Sequence, residues 1–164
     1  MKLRVFFALF LMICGVAMQG AGLFQGFDKD AFYSVMASGS IVSIDAELSI
    51  LNGASIKEKE AYEGALLMKK AGLLAKPKER LAIFKSGYRK LESSLAMDSS
   101  NGEYHFLRLT IQEHAPRVVK YYKDQDNDRQ HVCRSFKTLS PAVQKAILDY
   151  SKHSKILITK ELNG

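Results

Sequence analysis

The chain has 164 residues, 47% hydrophobic and 25% charged, and its 24 Lys and Arg against 17 Asp and Glu give a formal net charge of +7. That balance excludes a disordered chain, which could not bury enough apolar surface to fold. The length suits an N-terminal targeting segment followed by about 140 residues, the size of one domain with one core.

Residues 1–22 read as an export signal. Lys2 and Arg4 precede an unbroken apolar run from Val5 to Met18, and the small residues Gly20, Ala21 and Gly22 follow. Basic flank, hydrophobic segment and small-residue exit stand in secretory order. Cleavage needs small residues at the last and third-last positions, which Gly15-Val16-Ala17 and Gly20-Ala21-Gly22 both offer. Two alternatives stay open. About 20 apolar residues span a bilayer, so an uncleaved anchor is one, weakened by glycines in its second half. Lipidation at Cys14 is the other, weakened by Ile13, where a small residue normally precedes a lipidated cysteine. The expected location is periplasmic or extracellular, free or membrane-anchored. With the signal removed, Cys133 stands alone and no disulfide can form within the chain. Its neighbours Val132 and Phe136 on an apolar helical face predict an inert core thiol.

The rest reads as helix after helix. Asp28 is placed to cap a short helix carrying Phe32, Val35 and Met36, which Gly39 closes. Ser40 to Leu51 gives a second, with Ile44, Leu48 and Leu51 in helical spacing and Asn52-Gly53 at its end. Ser55-Ile56-Lys57-Glu58 matches a capping box, in which serine and glutamate satisfy free amides reciprocally, and predicts a helix running to about Leu74. Its Ala61, Ala65, Met68 and Gly72 form a narrow seam that another helix could approach closely, with Tyr62, Leu66 and Leu73 widening the buried face.

Pro77 suits the first turn of the next helix, where its missing amide hydrogen costs nothing. Leu81, Phe84, Tyr88, Leu91 and Leu95 recur at intervals of three and four, the clearest amphipathic pattern in the chain. Ser99-Ser100-Asn101-Gly102 breaks it, and Asn101 is placed to cap a helix from Glu103 to His114. That helix is apolar on more than one side, which predicts a central, buried position. Pro116 ends or redirects it, and a short aromatic segment follows with Val118, Val119, Tyr121 and Tyr122. Asp124-Gln125-Asp126-Asn127-Asp128 reads as a turn capping a helix with Val132, Cys133, Phe136 and Leu139. Ser140-Pro141 opens the last helix, with Val143, Ile147 and Tyr150, and Ile156-Leu157-Ile158 extends it or forms a short strand. No alternating pattern is long enough for a sheet. The expectation is all-α: one domain over residues 28–164, of six to seven helices packed as helical hairpins, repeat-like or an irregular bundle.

Leu91 to Leu109, LESSLAMDSSNGEYHFLRL, resembles the junction between two tetratricopeptide repeats, where a helix ends in a pattern such as A-L-x-h-D-P-x-N and the next opens with glutamate and aromatics. Leu95, Met97, Asp98, Asn101, Glu103, Tyr104 and Phe106 fit that grammar, with Ser99 in place of the usual proline. No second copy stands at the repeat spacing of about 34 residues, so the likeness implies helical hairpins and not an array. A longer likeness runs through AYEGA at 61–65, the Leu81–Leu95 helix, EYHFLR at 103–108 and the Pro116–Tyr121 segment. Together these resemble a family of uncharacterised exported proteins of Gram-negative bacteria, with His105 where that family has an arginine. The resemblance implies export and a helical body, and no activity.

The residues offer little catalytic chemistry. Asp124, Asp126 and Asp128 resemble the first ligands of a calcium loop, but Arg129 and Ser135 stand where such a loop needs glycine and glutamate. The histidines 105, 114, 131 and 153 lack a zinc spacing. His131 and Cys133 lie two residues apart, so on a helix their side chains diverge by about 200° and cannot form a nucleophile–base pair. Glu58, Glu60 and Glu63 sit at a helix start, where acids meet the positive dipole end. No catalytic, metal-binding or cofactor residue is assigned, and an enzyme is the least expected class.

Two features carry functional weight. Arg108 shares a helical face with Tyr104, Leu107 and Ile111, and a buried guanidinium needs a partner. A structural ion pair with Glu63, Glu60 or Asp98 is expected, with a bound anion as the alternative. The second feature is a basic run: Lys69, Lys70, Lys76, Lys78, Arg80, Lys85, Arg89 and Lys90 face a single acid, Glu79. A solvated helical face is its plain reading; attraction to an anionic partner is its functional one. The leading expectation is a non-enzymatic protein-interaction or scaffold module of the cell envelope, whose hairpins leave grooves for a partner protein. The alternative is a binder of anionic lipid or polysaccharide through residues 69–90. Nucleic acid does not fit an exported chain.

Overall fold

A computed structural model of the chain describes residues 26–163. The export segment, with its cleavage, anchor and lipidation alternatives, lies outside the described residues. Among the described residues there are seven α-helices and no strand: α1 (Lys29–Ser38), α2 (Ile41–Gly53), α3 (Lys59–Leu73), α4 (Pro77–Met97), α5 (Gly102–His114), α6 (Gln125–Ser135) and α7 (Pro141–Ser151). Short 3-10 turns follow at Arg117–Val119, Phe136–Thr138 and Thr159–Asn163. The fold is all-α. No described helix is long and apolar enough to cross a membrane.

Polar boundary residues cap three of the seven helix starts, and proline opens two more, α4 and α7. Asp28 accepts the amide of Asp30 at 2.9 Å, and Asn101 accepts those of Glu103 and Tyr104. Ser40 and Ser43 form a reciprocal capping box at the start of α2. The box expected at Ser55–Glu58 does not form: α3 begins only at Lys59, and Glu58 makes no side-chain cap. Ile56 is drawn onto the core instead, and the Glu58 carboxylate stands 3.8 Å from the Lys29 ammonium. At the acidic run, too, the helix begins inside the predicted turn, with no side-chain cap from Asp124.

The core is organised around α5, buried without a break from Gly102 to Leu109. It packs on α6 and α3, while α3 and α4 form the most extensive helix pair and α7 returns to close on α1. The close approach predicted for α3 occurs, with Met68 of the predicted seam in it but with Gly64 rather than Gly72 as its glycine. A methyl group at Gly64 would lie 2.7 Å from the Leu91 amide nitrogen, and one at Gly87 would lie 2.5 Å from the Gly64 carbonyl oxygen. The two backbones touch there because neither residue has a side chain.

Past that crossing α3 stays packed as far as Ala71, and the end of the hairpin projects into solvent. Gly72 and Leu73, expected in the seam and the buried face, are exposed. Leu81 and Tyr88 of the amphipathic stripe are exposed as well, and on α4 only Gly87, Leu91, Ser94 and Leu95 are buried. A stripe marks the side that can be buried; burial itself needs a facing element, and α5 covers only the later turns. After α7 the chain neither extends the helix nor forms a strand. The Ser154 hydroxyl accepts the amides of Ile156 and Leu157, and this bend delivers Leu157 to the core.

Candidate functional site

The buried polar groups mark the charges that the fold itself uses. Arg108 is 8% exposed, but none of the acids expected to pair with it does so. Its Nε and NH2 groups donate to the two oxygens of Asp128 at 2.9 and 2.7 Å, and NH1 donates to Glu92 at 3.0 Å. Burial opposes the guanidinium charge, but Asp128 and Glu92 outweigh that and raise its pKa. Glu60 and Glu63 instead hold Lys90, and Asp98 accepts from Asn101, Ser100 and Lys57. The partner comes from the first turn of α6, which packs on α5. Sequence periodicity contains no signal for that pairing.

Asp128 is fully buried, so the acidic run is not a uniformly solvated turn. His105 Nδ1 lies 2.6 Å from Asp128, and its Nε2 lies 2.9 Å from the Ser99 carbonyl oxygen. The ring of His131 stacks on His105 with centroids 3.9 Å apart. With Asp128 committed inward and Asp124 and Asp126 exposed, the three acids do not converge as a calcium loop would require. Cys133 is half-buried against the core, and burial pushes its thiol pKa up.

Other carboxylates act as clamps for tyrosine. Glu103 accepts the hydroxyls of Tyr33 and Tyr62 and the ammonium of Lys29. Burial, with the nearby Glu103 charge, raises the Tyr62 pKa well above its usual value. Glu113 accepts from Tyr150, Ser154 and the Lys155 amide. Burial pushes its carboxyl up, but these hydrogen bonds outweigh it and hold the pKa below the usual range.

The basic run divides on inspection of its partners. Lys70 pairs with Asp45 and Lys90 with Glu60 and Glu63. Lys69 is half-buried, and desolvation lowers its pKa. Arg80 turns back to donate twice to the Leu74 carbonyl at 3.0 and 2.6 Å, tying down the turn between α3 and α4. Lys76, Lys78, Lys85 and Arg89 are exposed. None of these four meets a carboxylate among the described residues.

Sequence reading missed an adjoining part of this face. The connector between α5 and α6 lies along α4 and encloses a cleft of about 340 Å³, lined by Phe84, Tyr88 and Glu92 on one side and residues 119–124 on the other. Tyr121 donates to Glu92 at 2.6 Å and stands edge-on to Phe84 and Tyr88. Lys120 adopts a left-handed backbone conformation with φ 52°, which non-glycine residues seldom occupy. Arg117, Lys120 and Lys123 are exposed, so the connector adds cations beside those of α4. The signal was present as R-V-V-K-Y-Y-K, but only the fold places it against Phe84, Tyr88 and Glu92 of α4. Comparison with protein-family models, curated proteins and solved structures finds no match to this chain.

Proposed function

We propose that this chain is an exported, non-enzymatic module of the bacterial envelope that works by binding, and that it presents the α3–α4 hairpin end and the neighbouring connector to an anionic surface. The observation that carries this reading is unneutralised charge on ordered backbone. Lys76, Lys78, Lys85 and Arg89 lack a carboxylate partner among the described residues, whereas Lys29, Lys57, Lys70, Lys90, Arg129, Lys145 and Lys152 each face one. Each Lys or Arg near an anionic lipid surface contributes about 1 kcal/mol, within a Debye length. A protein partner is the second reading, favoured by the cleft: its aromatic walls suit an apolar side chain of a docking segment.

The test measures binding to anionic phospholipid vesicles and to an acidic polysaccharide, at low and high salt. The wild type and a Lys76→Gln, Lys78→Gln, Lys85→Gln, Arg89→Gln variant are compared. Wild-type binding to at least one polyanion, weakened by salt and by the variant, supports the reading. Absence of binding to both at low salt overturns it.

A further inference from the structure

Charge alone does not choose between a phospholipid surface and an acidic polysaccharide. The apolar side chains standing among the charges do. Leu73 and Leu81 are 46% and 47% exposed at the free end of the hairpin, and Val118 and Tyr122 are 85% and 44% exposed on the connector. Leu81 continues the α4 stripe of Phe84 and Tyr88, which line the cleft against the connector. It therefore lies on the connector side of α4, one turn nearer the free end. Met97, Val42, Ile41 and Ile158 are exposed as well, but Met97 sits at the opposite end of α4, beside an acid, Asp98, and the other three lie on α2 and after α7, outside the basic run.

A lone exposed leucine is ordinary. Four apolar side chains, on either side of the hairpin turn and on the connector, with exposed cations beside them in the chain, call for a partner that supplies anions and apolar matter together. A polysaccharide supplies the anions alone. The headgroup–acyl boundary of a bilayer supplies both, and amphipathic faces settle into it. Tyrosine belongs at that level, and lysine and arginine stems reach from it to the phosphates. The Arg80 clamp on Leu74 pre-orders the turn that carries Leu73 and Leu81.

We propose that this face is a membrane-contact surface: Leu73, Leu81, Val118 and Tyr122 enter the headgroup–acyl boundary of an anionic phospholipid bilayer, and the surrounding lysines and arginines stay at the phosphates. The proposal rests on the anionic-surface reading and adds insertion to it.

Because the chain contains no tryptophan, Val118→Trp in the full chain gives a single reporter at the proposed depth. Its emission shifts to the blue on phosphatidylglycerol-containing vesicles, and lipids brominated on the acyl chain quench it. A reporter at residue 118 reads the depth of this face, whatever the N-terminal segment does. Leu81→Asn with Val118→Asn leaves the charge unchanged and weakens vesicle binding about tenfold. Vesicle binding with unshifted, unquenched emission, equal affinity for the Asn variant and complete release by salt overturns insertion, while the anionic-surface reading stands. Binding to polysaccharide but not to vesicles does the same. Binding to neither at low salt overturns both.

Discussion

Arg108 and Asp128 neutralise each other inside the α5–α6 contact, where the guanidinium is 8% exposed and the carboxylate fully buried. Removing Arg108 takes two charge-assisted hydrogen bonds from Asp128 and leaves the fully buried carboxylate only the His105 ring, so Arg108→Leu lowers stability by about 3–5 kcal/mol, measured by urea unfolding. Adding Asp128→Leu to that variant recovers part of the loss, because the uncompensated carboxylate goes with it, but not all, because His105 Nδ1 loses its partner. An Arg108→Leu protein as stable as wild type would show that the pair is not a structural one. Sequence made half of this legible. The spacing of Tyr104, Arg108 and Ile111 announces a buried arginine, but its partner is not Glu60, Glu63 or Asp98, because which helix covers α5 is not written in the local pattern. Asp128 lies 20 residues along the chain from Arg108, across a proline and an irregular connector, and only tertiary packing joins them.

At the scale of elements, local chemistry predicted well and facing surfaces predicted poorly. The caps Asp28 and Asn101, Pro77 and Pro141 at the first turns of α4 and α7 and the break at Pro116 act where their own physics puts them. Ser140, expected to cap α7, makes no side-chain cap, whereas Ser40 caps α2 without having been singled out. The Ser55–Glu58 box failed because Ile56 and Glu58 had competing attractions from the core and Lys29. The small-residue seam held at Ala61, Ala65 and Met68, which are buried, but its last member, Gly72, is exposed, and Gly64, not Gly72, is the glycine that meets the partner helix. That distinction gives opposite signs for the same substitution. Alanine favours a helix interior over glycine by about 1 kcal/mol, and at Gly72 nothing lies within 4 Å of the added carbon, so Gly72→Ala raises stability. At Gly64 the added carbon meets the backbone of Leu91 and Gly87, which a rotamer change cannot relieve. Gly64→Ala therefore lowers stability, by about 1–3 kcal/mol as overpacking does. Thermal unfolding of the two variants side by side checks the signs; a stabilised Gly64→Ala protein would refute the close crossing.

Across the whole molecule, charge serves two purposes in separate places. Arg108, Lys29 and Lys90 are bound into the folded interior or its margins by Asp128, Glu103, Glu60 and Glu63. The cations at the free end of the hairpin take no part in that. The sequence displayed residues 69–90 as one basic run; the fold splits it, withdrawing Lys69, Lys70 and Lys90 and leaving Lys76, Lys78, Lys85 and Arg89 in solvent. If those four serve binding, the fold can lose them without penalty. The four-site glutamine variant therefore stays within about 0.5 kcal/mol of wild type, as surface changes away from packed features do. It even gains slightly where like charges no longer repel. Lys90→Gln loses more, about 1 kcal/mol, because it releases two carboxylates from a partly buried contact. Urea unfolding of both variants at low salt measures the difference. Equal losses would mean that the hairpin-end cations stabilise the fold, and unneutralised charge would then no longer argue for a partner surface.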